Sequence, residues 1–228
     1  MDKNGGKTLV LIQNGPVLVD ILKKICSEEI PGIKIINIMD ESLVRDIIAF
    51  GRVTDRITRR VCRYVECAGD LGADAVMMTC SSLCETMDVA RAFVDIPVLK
   101  INEPMAKEAV EISVKIGVIG TLASVIDPTV RLIKSKAAEI DKKVEIKYEL
   151  CDEAFRALIS GDRKKHDDLL REKVRAMSGD VGVIVLAQGS MAGMTEELGN
   201  ITGLPVLACL RSGVKAAGKV INKATDRI

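Results

Sequence analysis

Aromatic residues are scarce in this chain of 228 residues, which has no Trp, two Tyr and three Phe. Proteins that bind single-stranded nucleic acid stack bases on aromatic side chains, and proteins that bind duplexes carry a basic surface. Here 33 Lys and Arg residues are interleaved with 32 Asp and Glu residues, which leaves a net charge of +1. The composition therefore argues against nucleic acid as a partner.

Histidine is scarcer still, because His166 is the only one. Cys80 and Cys84 lie one helical turn apart, a spacing that occurs in metal and redox pairs, but the chain has no second thiol pair beside them. The seven cysteines are an odd number scattered through helix-like and strand-like segments. We therefore expect no metal site and no disulfide framework, and interpret the cysteines as reduced thiols of a cytoplasmic protein.

Long apolar runs are also missing. No stretch of about 18 apolar residues occurs, so no membrane span is expected. The first residues lack the basic stretch followed by an apolar stretch that marks a signal peptide. An apolar content of 48% still supports a large core, and the length fits one large domain or two of about 110 residues.

Short apolar runs rich in β-branched residues alternate with amphipathic segments along the chain. This pattern predicts an α/β protein whose parallel sheets are covered by helices on both faces. An apolar strand that runs into a small polar turn occurs twice, at residues 74–83 and 182–191. The strand that follows each turn, at 96–99 and 204–207, keeps the same offset of 108 positions. We therefore predict two similar α/β halves, with Cys80 and Gln188 at loop tips across one cleft.

No linker or low-complexity segment separates these halves. We place the first half at residues 1–105 and the second at 106–210, and expect a C-terminal helix at 211–228 to pack back onto the first half.

Cys80 is the main candidate for chemistry. Ser82 and Glu85 are spaced as a capping box, which predicts a helix that starts directly behind Cys80. The helix dipole and free N–H groups would then lower the pKa of the thiol and make it the most reactive of the seven. The same N–H groups, with the hydroxyls of Ser81 and Ser82, could hold a substrate carboxylate while the thiolate removes a proton from the adjacent carbon. The alternative is that Cys80 simply packs, as most buried cysteines do.

Other polar residues also fall at predicted strand ends, where ligands bind in parallel α/β sheets. These residues are Asn14, Asp40, Glu103, Thr121 and Gln188. Asp40 and Glu103 could equally be solvated or capping carboxylates. His166 follows a charged stretch and is expected at the surface, whereas Cys26, Cys62, Cys67 and Cys209 are expected to pack.

Several stretches, in their order and spacing, resemble the aspartate/glutamate/hydantoin racemase superfamily. They are residues 40–43 (DESL), 79–82 (TCSS), 102–105 (NEPM), 117–121 (GVIGT), 161–162 (GD) with His166, and 186–191 (LAQGSM). The resemblance implies a cofactor-independent isomerase, similar to amino-acid racemases, that acts on a small carboxylate-bearing substrate. It also implies two α/β subdomains related by a pseudo-two-fold, with the site in the cleft between them and one catalytic cysteine from each.

The resemblance assigns roles to individual positions. Cys80 matches the first catalytic cysteine, and Ser81 and Ser82 match the groups that hold the substrate carboxylate. The position of the second cysteine is Gln188, whose amide can neither take nor give a proton. The remaining matched positions lie in the turns after the first, fifth and seventh strands: Gln13, Asn14, Thr121, Ser124, Gly189 and Ser190.

Three functions therefore stay open. The first is an isomerase that forms an enolate-like intermediate with Cys80 as base or nucleophile. The second is a lyase, such as a one-cysteine decarboxylase, in which Cys80 delivers one proton. The third is a non-catalytic carboxylate-binding protein. A second proton carrier would have to come from Asp40, Glu103, Cys84, His166 or water, and association into a homo-oligomer is also left open.

Overall fold

Parallel β-sheets form the centre of two units in the computed structural model, which describes residues 6–223. One unit contains the described residues up to Ile101 together with those from Leu210, and the other contains Asn102–Cys209. Each unit has one sheet of four parallel strands with helices packed on it. The predicted fold class, two similar parallel-sheet α/β subdomains, is thereby confirmed.

The first unit alternates β-strands and helices along the chain. Its strands are β1 (Thr8–Gln13), β2 (Lys34–Met39), β3 (Ala75–Met78) and β4 (Val98–Lys100). Its helices are α1 (Val19–Glu29), α2 (Ser42–Phe50), α3 (Asp55–Asp70) and α4 (Thr86–Ala90), with short 3₁₀ turns at Pro16–Leu18, Ser81–Leu83 and Arg91–Phe93.

The second unit repeats this plan. Its strands are β5 (Lys115–Gly120), β6 (Glu145–Leu150), β7 (Val183–Leu186) and β8 (Val206–Ala208). Its helices are α5 (Glu103–Ile112), α6 (Ala123–Ala138), α7 (Asp152–Ile159), α8 (Arg163–Ser178) and α9 (Thr195–Thr202), with a 3₁₀ turn at Gly189–Met194. The last helix, α10 (Cys209–Lys223), begins at the end of this unit and continues into the first.

Strand order is the same in the two sheets, and so is the pairing register of the last two strands of each. The orders are β2-β1-β3-β4 and β6-β5-β7-β8. In the first sheet Val76 pairs with Val98, and in the second Ile184 pairs with Val206, so both pairs keep the offset of 108 found in the sequence. The repeat read from the sequence is therefore a repeat of strand pairing as well as of residue type.

The central strands are buried because both faces of each sheet carry helices. Leu9, Leu11 and Ile12 of β1 and all four residues of β3 are shielded from solvent. Strands buried on both faces read as continuous apolar runs, which is why these strands were recognisable. The edge strand β6 alternates charged and apolar residues in sequence, and its apolar Tyr148 and Leu150 are exposed.

Helix α2 is short and contributes little to the core of the first unit. Its two buried residues, Leu43 and Ile47, are four positions apart, which puts them on one face of the helix. A helix of nine residues with only two core positions gives a weak periodic signal. Thr54 caps α3, because its side-chain oxygen accepts a hydrogen bond from the N–H of Ile57.

Helix α10 packs closely on the first unit. A Cβ atom built at Gly213 would lie 2.5 Å from the carbonyl oxygen of Ile101. The helix can come this close only because glycine has no side chain. Arg211 forms ion pairs with Glu28 and Glu29 of α1, and Lys7 donates a hydrogen bond to the carbonyl of Ile221. Within residues 6–223, no helix combines the length and apolar character needed to cross a bilayer.

We predict that Gly213→Ala lowers the free energy of unfolding by about 1–3 kcal/mol, because the added methyl group meets main-chain atoms that cannot move aside. In an open helix the same change would stabilise by roughly 0.5–1 kcal/mol. Gly179→Ala is the control, since a Cβ at this end of α8 would meet no atom within 4 Å. Urea unfolding of both variants tests this, and an equal or smaller loss for Gly213→Ala would contradict the close packing.

Candidate functional site

Each sheet has a point where its connections leave in opposite directions. In the first sheet the chain passes from β1 to β2 on one side and from β3 to β4 on the other, and the second sheet does the same with β5 and β7. Ligands of open parallel sheets bind in the crevice beyond the carboxyl ends of such strands. We call the loops 13–15, 79–82, 121–124 and 187–190 the switch-point loops, since they follow these four central strands.

The loop that carries Cys80 is tied to the end of β1. The backbone N–H and the hydroxyl of Thr79 both donate to the carbonyl of Ile12, at 3.1 and 3.0 Å. Cys80 itself is extended, with φ −102° and ψ 115°, and leads into the 3₁₀ turn Ser81–Leu83. The backbone N–H groups of Ser82 and Leu83 and the side chain of Ser82 lie close enough to the sulfur to favour its thiolate form. The side chains of Ser81 and Ser82 are buried.

The helix predicted behind Cys80 is not an α-helix. Only a three-residue 3₁₀ turn follows the cysteine, and α4 begins at Thr86. Glu85 is the N-cap residue of α4 and makes no side-chain capping bond. The segment is too short to align enough peptide dipoles for the predicted effect on the thiol.

The prediction of a lowered thiol pKa is also wrong. Cys80 is half-buried, and the loss of hydration around its thiol raises its pKa to about 11, although Ser82 and Leu83 act in the opposite direction. Desolvation penalises the thiolate more than these donors stabilise it. At neutral pH Cys80 is therefore a thiol, and only about one molecule in 10⁴ carries the thiolate.

The corresponding loop of the second unit holds Gln188. The backbone N–H and the hydroxyl of Thr121 both donate to Oε1 of Gln188, at 2.5 and 2.9 Å. The Gln188 oxygen is thus occupied by the neighbouring strand end, and no hydrogen bond of its Nε2 is formed with the described residues. Two N–H donors of a side chain with a fixed orientation are left for a ligand.

Cys80 and Gln188 occupy equivalent backbone positions in their own units. Gln188 is extended, with φ −131° and ψ 141°, and is followed by the 3₁₀ turn Gly189–Met194. The carbonyl of Cys80 accepts from the N–H of Leu83 at 2.9 Å, and that of Gln188 accepts from Met191 at 3.2 Å. The two loops share one backbone design and differ in whether the leading side chain can exchange a proton. Gly189 and Ser190 are half-buried beside Gln188, and Ser124 lies in the first turn of α6.

Asp40, at the end of β2, is held in a polar network. It forms an ion pair with Arg60, and its carboxylate accepts hydrogen bonds from the hydroxyls of Tyr64 and Ser42 at 2.5 and 2.6 Å. Burial alone would raise its pKa, but the bonds from Ser42, Tyr64 and Arg60 lower the pKa to about 2. Asp40 is therefore ionised at neutral pH and is a poor proton carrier. Arg60 also bridges to Asp46, which ties α3 to α2.

Gln13 is buried at the end of β1. Its Nε2 donates to Oδ1 of Asn37 at 2.7 Å. Its Oε1 is buried and has no hydrogen-bond partner in the described part of the chain. Asn14, the next residue, is half-buried. A buried acceptor without a donor costs free energy, so Gln13 offers a place for a ligand donor.

His166 contradicts its predicted place at the surface. It lies in the first turn of α8 and is fully buried, with Nδ1 2.6 Å from Oδ1 of Asp167 and Nε2 without a partner in residues 6–223. The charged stretch before it is exposed, but the helix turns position 166 inward. Glu103, the first residue of α5, forms an ion pair of 2.5 Å with Lys136.

The remaining cysteines divide as expected, with one exception. All seven are free thiols, and Cys26, Cys62 and Cys209 are buried. Cys67 is exposed on α3, so its predicted packing is wrong. The sulfur of Cys84 lies 3.9 Å from the carbonyl of Met78. Between residues 6 and 223, no group of three His, Cys, Asp or Glu side chains is arranged to hold a metal ion.

Three residues of these networks were not predicted from the sequence. Thr79 has no sequence signal that separates it from the rest of the polar turn. Arg60 and Tyr64 lie on α3, 20 and 24 positions after Asp40. Their separation of four positions, which puts both on one face of α3, is a signal that could have found them only once α3 was known to pass the end of β2.

Solved structures with this fold support the strand order and its two units. Allantoin racemase from Klebsiella pneumoniae is 16% identical with a TM-score of 0.68, and 97% of this chain and 88% of that chain are covered. Glutamate racemase isoform RacE1 from Bacillus anthracis is 15% identical with a TM-score of 0.72, over 96% and 82%. Unliganded arylmalonate decarboxylase is 15% identical with a TM-score of 0.58, over 94% and 93%. At such identities the likeness shows the fold alone.

Comparison with curated protein sequences gives no significant match. The model of the Asp/Glu/Hydantoin racemase family matches residues 18–217. This match includes three of the four switch-point loops with Cys80, Thr121 and Gln188, and it spans most of both units. The chain therefore belongs to the Asp/Glu/Hydantoin racemase family.

Proposed function

We propose that this protein is a cofactor-independent, isomerase-like enzyme that moves a proton at the carbon next to a substrate carboxylate, with Cys80 as the group that exchanges that proton. One observation carries the proposal: Cys80 is the only residue in the four switch-point loops with a side chain that titrates in an accessible range. Asp40, at the end of an edge strand, has its pKa lowered to about 2 and is bound in its own network.

The proposed chemistry needs a group that stabilises the enolate as it forms. Gln188 suits this role, because the bonds from Thr121 fix its oxygen and leave its N–H donors to a substrate oxygen. Gly189 and Ser190 would add donors from the same loop. Asn14, Ser81 and Ser82 would bind the carboxylate from the loops of the first unit. That all these groups contact one substrate stays a prediction.

Racemisation by two bases needs a proton acceptor on one face of the substrate and a proton donor on the other. Cys80 can serve one face, whereas the amide of Gln188 cannot serve the second. The thiolate form of Cys80, a small fraction at neutral pH, removes the proton and becomes the thiol, while the electron pair stays on the substrate as an enolate. The thiol then returns the proton to the same face. The proposed reaction is therefore proton transfer at one face.

A lyase is the second candidate, and the pKa of Cys80 favours it. A thiol whose pKa is raised to about 11 is protonated at neutral pH and ready to give a proton away. In a decarboxylation the carbon–carboxylate bond breaks, carbon dioxide leaves, and the carbanion takes the proton of Cys80. Arylmalonate decarboxylase has the same fold. Carbon dioxide release from malonate-type acids separates the two candidates.

The pH dependence of Cys80 labelling tests its protonation state. Because only the thiolate reacts, the rate with iodoacetamide should keep rising with pH and reach half of its limit near pH 11. At pH 7 the exposed Cys67 should label faster than Cys80. Peptide mapping after pulses of reagent gives both rates, and half-maximal labelling of Cys80 near pH 8 would show that burial does not control its pKa.

Hydrogen exchange tests the catalytic role. In D₂O the wild type should place deuterium on the carbon next to the carboxylate of a substrate acid, detected by proton NMR. Cys80→Ser should reduce this rate by at least about 10², the usual contribution of a general acid or base. Cys67→Ala, at an exposed thiol, should have no effect. Exchange that survives Cys80→Ser would remove Cys80 from the mechanism, and a wild type that binds acids without exchange would support the binding-protein alternative.

Gln188→Cys tests whether a second proton carrier at this position changes the outcome. The wild type should exchange the proton of single enantiomers of aspartate or glutamate poorly and should not interconvert them. Gln188→Cys should gain racemisation, measured by polarimetry, because it supplies a second thiol. Gln188→Ser is the control, since it also loses the bonds to Thr121 but adds no base. Rapid racemisation by the wild type would refute the one-face mechanism.

A further inference from the structure

The four switch-point loops carry no charge. No Asp, Glu, Lys, Arg or His occurs in residues 13–19, 79–84, 120–126 or 187–195. The polar groups there are amides, hydroxyls, backbone N–H groups and the protonated thiol of Cys80. The N–H and hydroxyl donors there can hold one carboxylate, but an ammonium group or a second carboxylate that enters such a site loses hydration without gaining an opposite charge.

The charged side chains at the ends of the edge strands do not supply an opposite charge for a ligand, since they already form ion pairs with other residues. Asp40 pairs with Arg60, Glu103 with Lys136, and Asp152 with Arg156. Glu41 and Glu153, which follow Asp40 and Asp152, are exposed to solvent, where their charge is screened. None of these side chains is set up to pair with an ammonium group or a second carboxylate of a ligand.

The buried amide of Gln13 indicates which group a ligand should carry at this site. Its Oε1 is a buried acceptor without a donor among residues 6–223, at the end of a central strand. The same amide is oriented by the bond from Nε2 to Asn37. A neutral O–H or N–H group would satisfy this oxygen at little desolvation cost, whereas an ammonium group would arrive with a charge that nothing in the loops balances.

We infer that the substrate is a monocarboxylate whose carbon next to the carboxylate bears an uncharged hydrogen-bond donor, such as a hydroxyl or a carbamoylated nitrogen, and that Gln13 accepts from this donor. Zwitterionic amino acids and dicarboxylates are then disfavoured. This inference rests on the proposed function and specifies its substrate class.

The test uses acids that share a side chain and differ in the group on the carbon next to the carboxylate. Mandelate carries a hydroxyl, N-carbamoylphenylglycine a neutral ureido group, and phenylglycine an ammonium group; alanine and leucine provide the same three forms with other side chains. Two measurements are made for each acid at pH 7.5, where the amino acids keep their ammonium group: deuterium exchange at that carbon, and protection of Cys80 from iodoacetamide. The neutral forms should protect and exchange at least about tenfold better than the ammonium forms.

The variant Gln13→Glu should reverse this preference, because it places a carboxylate where the ammonium group would lie. Asn37 can rotate its amide to donate to the new carboxylate, which limits the damage to the fold. Asn200→Asp adds the same charge at an exposed position of α9 and should change nothing. Gln13→Met, of similar volume but without an acceptor, should weaken protection by the neutral forms only.

The two measurements separate the inference from the proposed function. Protection by the neutral acids without exchange would support the substrate class and refute the proposed catalysis. Exchange confined to the ammonium forms or to aspartate would support the catalysis and overturn the substrate class. If no acid gives protection or exchange, both the substrate class and the catalysis are overturned. If Gln13→Glu prefers the same acids as the wild type, the substrate class alone is overturned.

Discussion

The pairing of two buried central strands in each sheet is the constraint on which the other features depend. Strands β1 and β3 lie side by side with apolar side chains on both faces, as do β5 and β7. Such strands cannot slip in register without exposing or misplacing a whole row of core side chains. Their carboxyl ends are therefore held at fixed positions, and the loops that follow them inherit that precision.

The Cys80 loop shows how a site can be rigid without a helix to organise it. The hydroxyl of Thr79 binds the end of the neighbouring strand, and the 3₁₀ turn closes on the carbonyl of Cys80. Two backbone N–H groups then reach the sulfur. These donors would stabilise a thiolate, but desolvation destabilises it more, so the sulfur keeps its proton at neutral pH. The balance leaves a thiol that gives its proton readily only to a strong base, such as a carbanion, and this property is relevant to both candidate reactions.

The second unit uses the same backbone for a different purpose. Where the first unit has a titratable sulfur, the second has an amide whose oxygen is bound by Thr121. An amide fixed in this way can stabilise negative charge on a substrate without moving a proton. The family to which the chain belongs is named for racemases. An amide at position 188, where a second proton carrier would be needed, is the physical reason to consider proton transfer at one face here. The uncharged character of all four loops points to a substrate with little charge beyond its carboxylate.

The sequence alone determined the fold class, the repeat and the location of the loops. Apolar runs of fixed length are local signals, and the spacing of 108 positions survived as register in both sheets. It also singled out Cys80 and Gln188, since a strand followed by a small polar turn is visible in a few residues. The sequence failed wherever the deciding contact came from far along the chain. The raised pKa of Cys80 depends on how tightly other elements cover the thiol, and the ion pair of Asp40 depends on where α3 passes. His166 looked exposed because its neighbours are charged, and only the direction of its side chain on α8 buried it. Burial and long-range pairing are properties of the packed molecule, so only the tertiary structure could decide them.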